Sequence, residues 1–547
     1  MFKKETFFWM AVAAIFFIPF IGNVHLFDWD EINFAEIARE MHFSGNYIEP
    51  QINFQPFLEK PPLFFWLQAF FMNLFGVGEF AARFPNALLG VVQLPVLYLI
   101  GNKISGKEFA GIWTLVYFGT LLPHLYFKSG IIDPWFNFFI FLSLVSLFYA
   151  LHEGESRYSK NVLAFAAGSL AGLAVLTKGP VALLIIGICF VFFAIRKKLL
   201  LSVLIVRSSG FAIGLVIFCG SWLLLDYFQN GPTFIEAFTI RQWELLTTKD
   251  AGHGGFLFYH VVVLLFGCFP ASVFLIQGMI KKSDQSVIQA DFAYLMKVLF
   301  WFVLVLFSLV QTKIVHYSSL CYFPLTYLAA ISIQEIISKK WKMEWWMKVL
   351  LGLTAFPFVL APFLMTYLGF HMDALKPLLK ADPFAVENLN AEILWQGWEF
   401  MAGFVLFAGL YLFYAYNSKG KIRNGFVILF AGTALYVQLT LIFFIAKIEK
   451  ISQNANIEFW EKHSNENCYL STFGYKSYTQ YFYGQVKPST SFANADSLVR
   501  SKVDKNLLIS CKVNKRKELE ELFQDEVFLY QKNGFYFYLR PASGSSN

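Results

Sequence analysis

Long apolar runs recur along almost the whole of this 547-residue sequence. Windows of about 19 residues, the length that an α-helix needs to cross roughly 30 Å of hydrocarbon, pick out about thirteen runs separated by short polar breaks. Each run must form a helix, because backbone exposed to lipid has to satisfy its own hydrogen bonds. We therefore predict an all-α polytopic membrane protein whose spans are centred on Phe7–Gly22, Ala87–Ile104, Phe109–Tyr126, Ile131–Leu151, Val162–Leu176, Val181–Ile195, Ser209–Phe228, Leu257–Met279, Leu295–Val310, Tyr317–Ile336, Val349–Phe370, Met401–Tyr416 and Phe426–Ala446.

The composition excludes several other classes of protein. Hydrophobic residues make up 57% of the chain and charged residues only 15%, which is not the composition of a cytosolic or disordered protein. The 44 Lys and Arg against 37 Asp and Glu leave a net charge of +7, too little for the basic face of a nucleic-acid-binding protein. We expect membrane lipid, and no nucleic acid, among the partners.

Basic residues are concentrated in every second break, and such breaks face the cytoplasm in membrane proteins. They include residues 3–4, 103–107, 196–198, 281–282, 339–342 and 419–423. The N-terminus is then cytoplasmic. An odd number of spans places the C-terminal tail on the outer side of the inner (plasma) membrane.

The outer segments include a first loop, residues 23–86, and a tail, residues 447–547, that follows a transmembrane domain of residues 1–446. The tail is predicted to be a small periplasmic α/β domain. Its strand-like stretches are Cys468–Phe473, Leu507–Val513 and a hairpin over Val527–Arg540 that turns at Asn533-Gly534.

Cys468 and Cys511 both lie in this tail. An oxidising compartment would permit a disulfide there, although the sequence does not show that the two residues meet.

Carboxylates gather near the predicted outer surface. Asp30 and Glu31 begin a helical pattern in the first loop, where a plain helix cap is the alternative interpretation. Asp133, at the start of the fourth run, has the same alternative. Glu59 precedes a second helical pattern, Leu63–Phe75, which is expected to rest in the membrane interface.

Several cations lie on the same predicted side, against the usual bias of membrane proteins. Lys60 follows Glu59, and a lysine that extends its charge to the membrane surface is the alternative there. Lys178 lies between the fifth and sixth runs, and Lys313 precedes the tenth. His316 and His253 are weaker candidates, because a lone histidine is more often structural than chemical.

Carboxylates and lysines on one face of a membrane protein can deprotonate an acceptor and hold a phosphate, here that of a lipid. The sequence contains no zinc-type Cys/His spacing, Walker loop, dinucleotide fingerprint or nucleophile elbow. The chemistry is therefore expected to require no cofactor and no metal, with a divalent metal ion beside Glu59 as the alternative.

A set of short motifs now brings out a family resemblance. The motifs are Asp30-Glu31, Ala35-Glu36-Ile37-Ala38-Arg39-Glu40-Met41, Ser44-Gly45, Glu59-Lys60-Pro61-Pro62-Leu63, Phe80-Ala81-Ala82-Arg83-Phe84-Pro85, Asp133, Thr177-Lys178-Gly179-Pro180 and Lys313 with His316-Tyr317. Their order and spacing closely resemble the aminoarabinose lipid A transferase (ArnT-like) family of protein mannosyltransferase-like GT-C glycosyltransferases. The resemblance is strong over residues 23–180, looser to about residue 330, and mainly topological beyond.

The resemblance implies a GT-C fold that moves a sugar from a polyprenyl (undecaprenyl) phosphate donor to an acceptor on the outer face of the inner membrane. The acceptor is a lipid, a glycan or a protein. It further implies that Asp30 is the catalytic carboxylate, that Lys60 and Asp133 lie near it, and that Lys178 faces the donor phosphate. Direct displacement of that phosphate predicts inversion at the sugar carbon.

Two positions depart from the family. Such enzymes usually carry Arg-Tyr where this chain has Asn33-Phe34, and Tyr-Phe where it has Phe57-Leu58. Without that arginine, fewer cations share the phosphate. Arg83 and Lys313 are the next candidates to contact it.

Two other classes of function make different demands on the sequence. A transporter or lipid flippase is expected to show coupling charges near the membrane midplane and repeated halves, and neither is visible. A membrane anchor or sensor that works through the tail would leave the residues between Asp30 and Lys60 without a purpose.

Overall fold

Helices make up most of the structure, a computed structural model that describes residues 4–152, 154, 158–247, 254–493, 498, 502–522 and 526–543. The longer helices are Lys4–Phe17, Glu79–Phe118, Asp133–Leu151, Lys160–Lys178, Val181–Lys197, Leu201–Asn230, Tyr259–Gly267, Ala271–Ile280, Val287–Leu309, Val315–Ile337, Trp345–Phe370, Met401–Ser418 and Ile422–Ser452. Shorter helices and helical turns are Asp30–Ser44, Leu63–Phe75, Leu121–Tyr126, Thr233–Thr247, Met372–Leu379, Pro383–Asn388, Asn454–Lys462, Thr479–Phe482, Pro488–Thr490, Val513–Lys515 and Arg516–Leu522.

Every predicted apolar run falls on one of the longer helices or helix pairs, but the count of thirteen spans is not confirmed. Within the described part of the chain, nine helices are long and apolar enough to cross a membrane, or ten if the pair Tyr259–Gly267 and Ala271–Ile280, bent by 113°, is one span. Glu79–Phe118 contains the second predicted run and the first part of the third, divided by a break at Gly106, whose φ of 82° suits glycine. The third run continues into helix Leu121–Tyr126. Lys4–Phe17 and Val181–Lys197 are shorter, with 14 and 17 residues.

The basic breaks meet at one end of the bundle, as the alternation of charge predicts. Ion pairs connect them there: Lys107 with Glu5, Arg423 with Glu108, Arg196 and Lys197 with Asp291, and Lys281 with Glu344. The opposite end of the bundle, which we call the site end, carries the first loop and the tail. Which end faces the cytoplasm stays a prediction.

The tail contains the predicted small domain. Its four-stranded sheet has the order Tyr469–Phe473, Leu507–Lys512, Phe535–Arg540, Val527–Lys532, with the first two strands parallel and the other neighbours antiparallel. The predicted hairpin is confirmed, and positive φ angles at Asn533 and Gly534 form its turn.

The two cysteines of the tail are free thiols. Cys511 pairs with Phe473 at one end of the parallel strands, whereas Cys468 precedes Tyr469 at the other end. The extended strand between them keeps the two sulfurs apart.

The first loop and the tail share one hydrophobic core. Apolar side chains of helices Asp30–Ser44 and Leu63–Phe75 pack in the same cluster as Trp460, Phe482 and Phe537 of the tail. The loop also contains a two-stranded hairpin of Gln51–Ile52 with Gln55–Pro56. The helix that leads into the tail continues to Ser452, beyond the predicted domain boundary at 446/447. The small domain therefore sits directly on the first loop.

Candidate active site

A cavity of about 370 Å³ opens at the site end of the bundle, where helices from distant parts of the chain converge. Helix Asp30–Ser44 forms one wall, and the start of Asp133–Leu151 and the end of Lys160–Lys178 form another. The polar and charged residues that line it are Asp30, Asn33, Glu59, Lys60, Asp133, Asn137, Lys178, Arg241, Gln242 and His316. The cavity therefore unites most of the residues that the sequence pointed to.

An ion pair lies in the second of these walls. Lys178 Nζ is 2.6 Å from Asp133 Oδ1, and both side chains are buried or nearly so. Asp133 occupies the first turn of its helix, and Lys178 the last turn of its own. Their helices run antiparallel side by side, which brings an N-terminal carboxylate to a C-terminal lysine.

His316 connects the two predicted carboxylates. Its Nε2 lies 3.7 Å from Asp30 Oδ2 and 3.8 Å from Asp133 Oδ2. The Asp30 side chain is 47% exposed, whereas that of Asp133 is only 4% exposed. Asp30 is thus the carboxylate that an incoming molecule can reach.

Lys60 is half-buried in the wall beside these groups. Burial lowers the pKa of its ammonium, and nearby Lys178 and Arg241 add to that effect, while Glu59 and Asp30 oppose it. A cation held close to two other cations is poised to gain from an anionic ligand.

Arg241 was not found from the sequence. It projects from helix Thr233–Thr247, and its guanidinium lies 3.6 Å from Glu59 Oε2 and 3.5 Å from Glu244 Oε2. The helix closes over the turn after Lys178, where a Cβ on Gly179 would meet Phe238 at 2.8 Å. Arg241 lies between the predicted spans Ser209–Phe228 and Leu257–Met279, on the predicted outer side. A basic residue on that side is unusual, and the same feature marks Lys178 as a candidate.

Glu31 and Arg83 face away from the cavity and bind each other. Arg83 donates from Nε to Glu31 Oε1 at 2.9 Å and from Nη2 to Oε2 at 2.7 Å. Burial alone would raise the pKa of Glu31, but Arg83 and the N–H groups of Phe27 and Gly130 hold it below its ordinary value. The remaining guanidinium hydrogens reach the carbonyls of Ile21, Val24 and His25. The pair braces the first loop.

Lys313 also has a local role. Its Nζ donates to the carbonyls of Phe307, Ser308 and Val310, at 3.1, 2.6 and 2.5 Å, where helix Val287–Leu309 ends. A lysine there satisfies carbonyls that lack helical partners. The structure therefore does not bring Lys313 into the cavity.

His253 lies outside the described residues. Among the residues that are described, no group of three or more His, Cys, Asp or Glu side chains could hold a metal ion. Glu59, the predicted neighbour of a metal, has Arg241 beside it.

Much of the cavity lining is apolar. The apolar residues come from four helices and from the segment between Leu309 and Val315, namely Phe136, Val181, Leu184, Ile185, Leu306, Phe307, Val310, Ile314 and Leu320. The cavity thus combines charged and apolar lining residues, as the head and tail of a charged lipid require.

Similar proteins share this arrangement of helices. Residues 59–222 match the family model described as dolichyl-phosphate-mannose-protein mannosyltransferase. The crystal structure of ArnT from Cupriavidus metallidurans bound to undecaprenyl phosphate superposes with a TM-score of 0.77 at 17% identity, covering 98% of each chain. In fold, the chain is therefore similar to ArnT and is of the GT-C type.

The chain is also similar in sequence to several arabinosyl transferases. An undecaprenyl phosphate-alpha-4-amino-4-deoxy-L-arabinose arabinosyl transferase of Proteus mirabilis is 25% identical over 338 residues, 61% of this chain and 60% of its own. The corresponding protein of Edwardsiella ictaluri is 27% identical over 342 residues, 61% of each. The chain thus matches about three fifths of the length of these relatives, whereas the likeness to ArnT in fold includes the tail.

Proposed function

We propose that this protein is a membrane glycosyltransferase that moves a sugar from a polyprenyl phosphate, of the undecaprenyl type, to an acceptor at the outer face of the inner membrane. The observation that carries the proposal is the cavity that joins Asp30, Lys60 and Lys178 to an apolar groove. The names of the similar arabinosyl transferases support the donor class. The acceptor is a lipid, glycan or protein that reaches the exposed side of Asp30.

Lys60, Lys178 and Arg241 are proposed to hold the donor phosphate. All three line the cavity, and the apolar groove beside them accommodates the first isoprene units of the tail. Each charge-assisted contact contributes on the order of 1.5 to 3 kcal/mol. Arg241 supplies a cation in a chain whose Asn33 replaces the family's usual arginine.

Asp30 is proposed to take the proton of the acceptor hydroxyl. The acceptor oxygen then bonds to the sugar carbon as the bond from that carbon to the phosphate oxygen breaks, which inverts the configuration. Charge on the departing phosphate is neutralised by the cations opposite. Asp133 positions Lys178 through their 2.6 Å contact, and His316 stands between the two carboxylates.

Transfer of labelled sugar in proteoliposomes tests this function. The purified protein is reconstituted with a labelled polyprenyl-phosphate sugar and an extract of envelope lipids and glycans, and mass spectrometry identifies the product. The Asp30→Asn variant is nearly isosteric but cannot accept the proton, so turnover should be abolished while folding and donor binding persist. Movement of the lipid between leaflets without a new glycosidic bond would point to a flippase instead. Near-wild-type turnover by Asp30→Asn would leave Asp30 as a helix cap.

A further inference from the structure

The segment that leads into Asp30 is bound by the tail at Leu26, Asp28 and Trp29. The Leu26 N–H donates to Tyr483 Oη at 2.7 Å, and Gln453 Nε2 donates to the Leu26 carbonyl at 2.7 Å. Leu26 is fully buried, so both of its backbone groups depend on these two side chains.

The next residues are held in the same way. The Asp28 N–H approaches Gln453 Oε1 at 3.4 Å, and the Tyr478 N–H donates to Asp28 Oδ1 at 3.3 Å. Trp29 Nε1 donates to the Lys476 carbonyl at 3.2 Å, and Lys476 Nζ lies 5.1 Å from the centre of the Trp29 ring. The tail thus contacts each of the two residues directly before Asp30.

On the bundle side, Arg83 donates hydrogen bonds to the carbonyls of the preceding residues Ile21, Val24 and His25. The segment is therefore clamped between the bundle and the tail. The Asp30 side chain is only weakly held by its own contacts, since it is 47% exposed and its Oδ2 lies 3.7 Å from His316 Nε2.

We propose that Tyr483 and Gln453 of the tail are positioning residues that set the approach of the Asp30 carboxylate to the acceptor. The inference rests on the proposed function in that Asp30 is the proton acceptor. The tail then contributes directly to turnover through the position of Asp30, because displacement of a reacting group by about 1 Å costs on the order of a hundredfold in rate.

Two variants loosen the clamp without touching the cavity. Tyr483→Phe leaves the buried Leu26 N–H without an acceptor, and Gln453→Ala removes the partner of the Leu26 carbonyl. We expect each to lower kcat by about tenfold or more. The KM for the donor should stay unchanged, because Lys60, Lys178 and Arg241 lie outside the segment of residues 21–30 that the clamp holds.

Tyr538→Phe is the matched control. Its hydroxyl donates to Glu520 Oε1 at 2.8 Å within the tail, and the bond does not involve the first loop. This variant should retain the kcat of the wild type. It also reports whether loss of any tyrosine hydroxyl weakens the domain as a whole.

Hydrogen exchange of the amides of residues 26–30, followed by mass spectrometry on the full-length protein, measures the clamp without reference to activity. Faster exchange together with reduced kcat in Tyr483→Phe and Gln453→Ala, but not in Tyr538→Phe, is the expected result. Unchanged exchange would show that no clamp exists, and faster exchange with full kcat, or a raised donor KM alone, would overturn the positioning role. If the wild-type protein forms no product, the proposed function is wrong. The positioning role is then wrong as well, whatever the exchange rates are, because Asp30 has no reaction to serve.

Discussion

Lys178 Nζ and Asp133 Oδ1 are 2.6 Å apart in the wall of a cavity, although 45 positions separate them in the sequence. The carboxylate is almost fully buried and the lysine is 17% exposed. The contact with a buried carboxylate holds the ammonium of Lys178 at the cavity wall. The pair therefore holds one cation in place at the proposed donor site.

Removing single cations from the cavity should weaken donor binding. Lys60→Met and Arg241→Met keep apolar volume and lose the charge, so we expect roughly a ten- to more than hundredfold loss of donor affinity or rate. Lys178→Met should behave likewise, but it strands a buried carboxylate, so Lys178→Met with Asp133→Asn is the cleaner variant. Titration of the purified variants with the polyprenyl-phosphate donor measures the change.

Lys313→Met is the control for this series. It removes a lysine that binds only helix-terminal carbonyls among the contacts of the described residues, so it should lower thermal stability and leave donor affinity intact. If Lys60→Met, Arg241→Met and the double variant all bind donor as the wild type does, the phosphate is held elsewhere.

Asn33 offers a test in the opposite direction. Its side chain lines the cavity, is 8% exposed, and its Oδ1 has no hydrogen-bond partner among the described residues. Asn33→Arg should leave donor use unchanged or improve it, because it adds a cation where the family usually has one. Asn33→Gln, which adds length without charge, is the comparison. A large loss of donor affinity in the arginine variant alone would mean that the phosphate does not approach this wall.

Local patterns explain what could be predicted from the sequence. The helix Leu63–Phe75 has the predicted bounds, because Pro61-Pro62 and a continuous apolar stretch mark it. Asn533-Gly534 marks the hairpin turn. Lys178 stood out because lysine is unusual on the outer side of a membrane.

Other features depend on contacts that no local pattern encodes. Gln453 and Tyr483 bind Leu26 from 427 and 457 positions away. Arg83 and Lys313 carry the charge that a phosphate site needs, but neighbouring carbonyls and Glu31 already use it. Charge and spacing identify candidates, and only packing shows which of them are left for a ligand.

Labelling of introduced cysteines tests the predicted orientation. Lys198→Cys should react only from the cytoplasmic side, and Lys376→Cys and Lys462→Cys only from outside. The six native thiols are all buried, so their background reactivity is low. Labelling of Lys462→Cys from the cytoplasm would place the tail inside and require an even number of spans.

The helix Asp30–Ser44 buries two neighbouring carboxylates. Glu36 and Glu40 are 0% and 1% exposed, and Arg39 donates to both oxygens of Glu36 at 2.7 Å. Glu40 Oε2 accepts only from the Phe54 N–H, at 2.8 Å, among the hydrogen bonds of the described residues. Burial is the main cause that raises the pKa of Glu40 to about 9. The charge of Glu36 and a hydrogen bond between Glu36 and Glu40 act in the same direction.

Stability should therefore depend on pH through Glu40. Because its pKa is raised above that of an unfolded chain, the folded state binds the extra proton, and this stabilisation is lost as the pH rises toward 9. The free energy of unfolding should fall by up to about 1.4 kcal/mol per pH unit across the neutral range. Glu40→Gln carries the hydrogen permanently, so its thermal unfolding midpoint in detergent should depend less on pH than that of the wild type. Glu521→Gln, at an exposed position of the tail, should keep the wild-type dependence, and an equal slope in the Glu40→Gln variant would show that Glu40 is ionised in the folded protein.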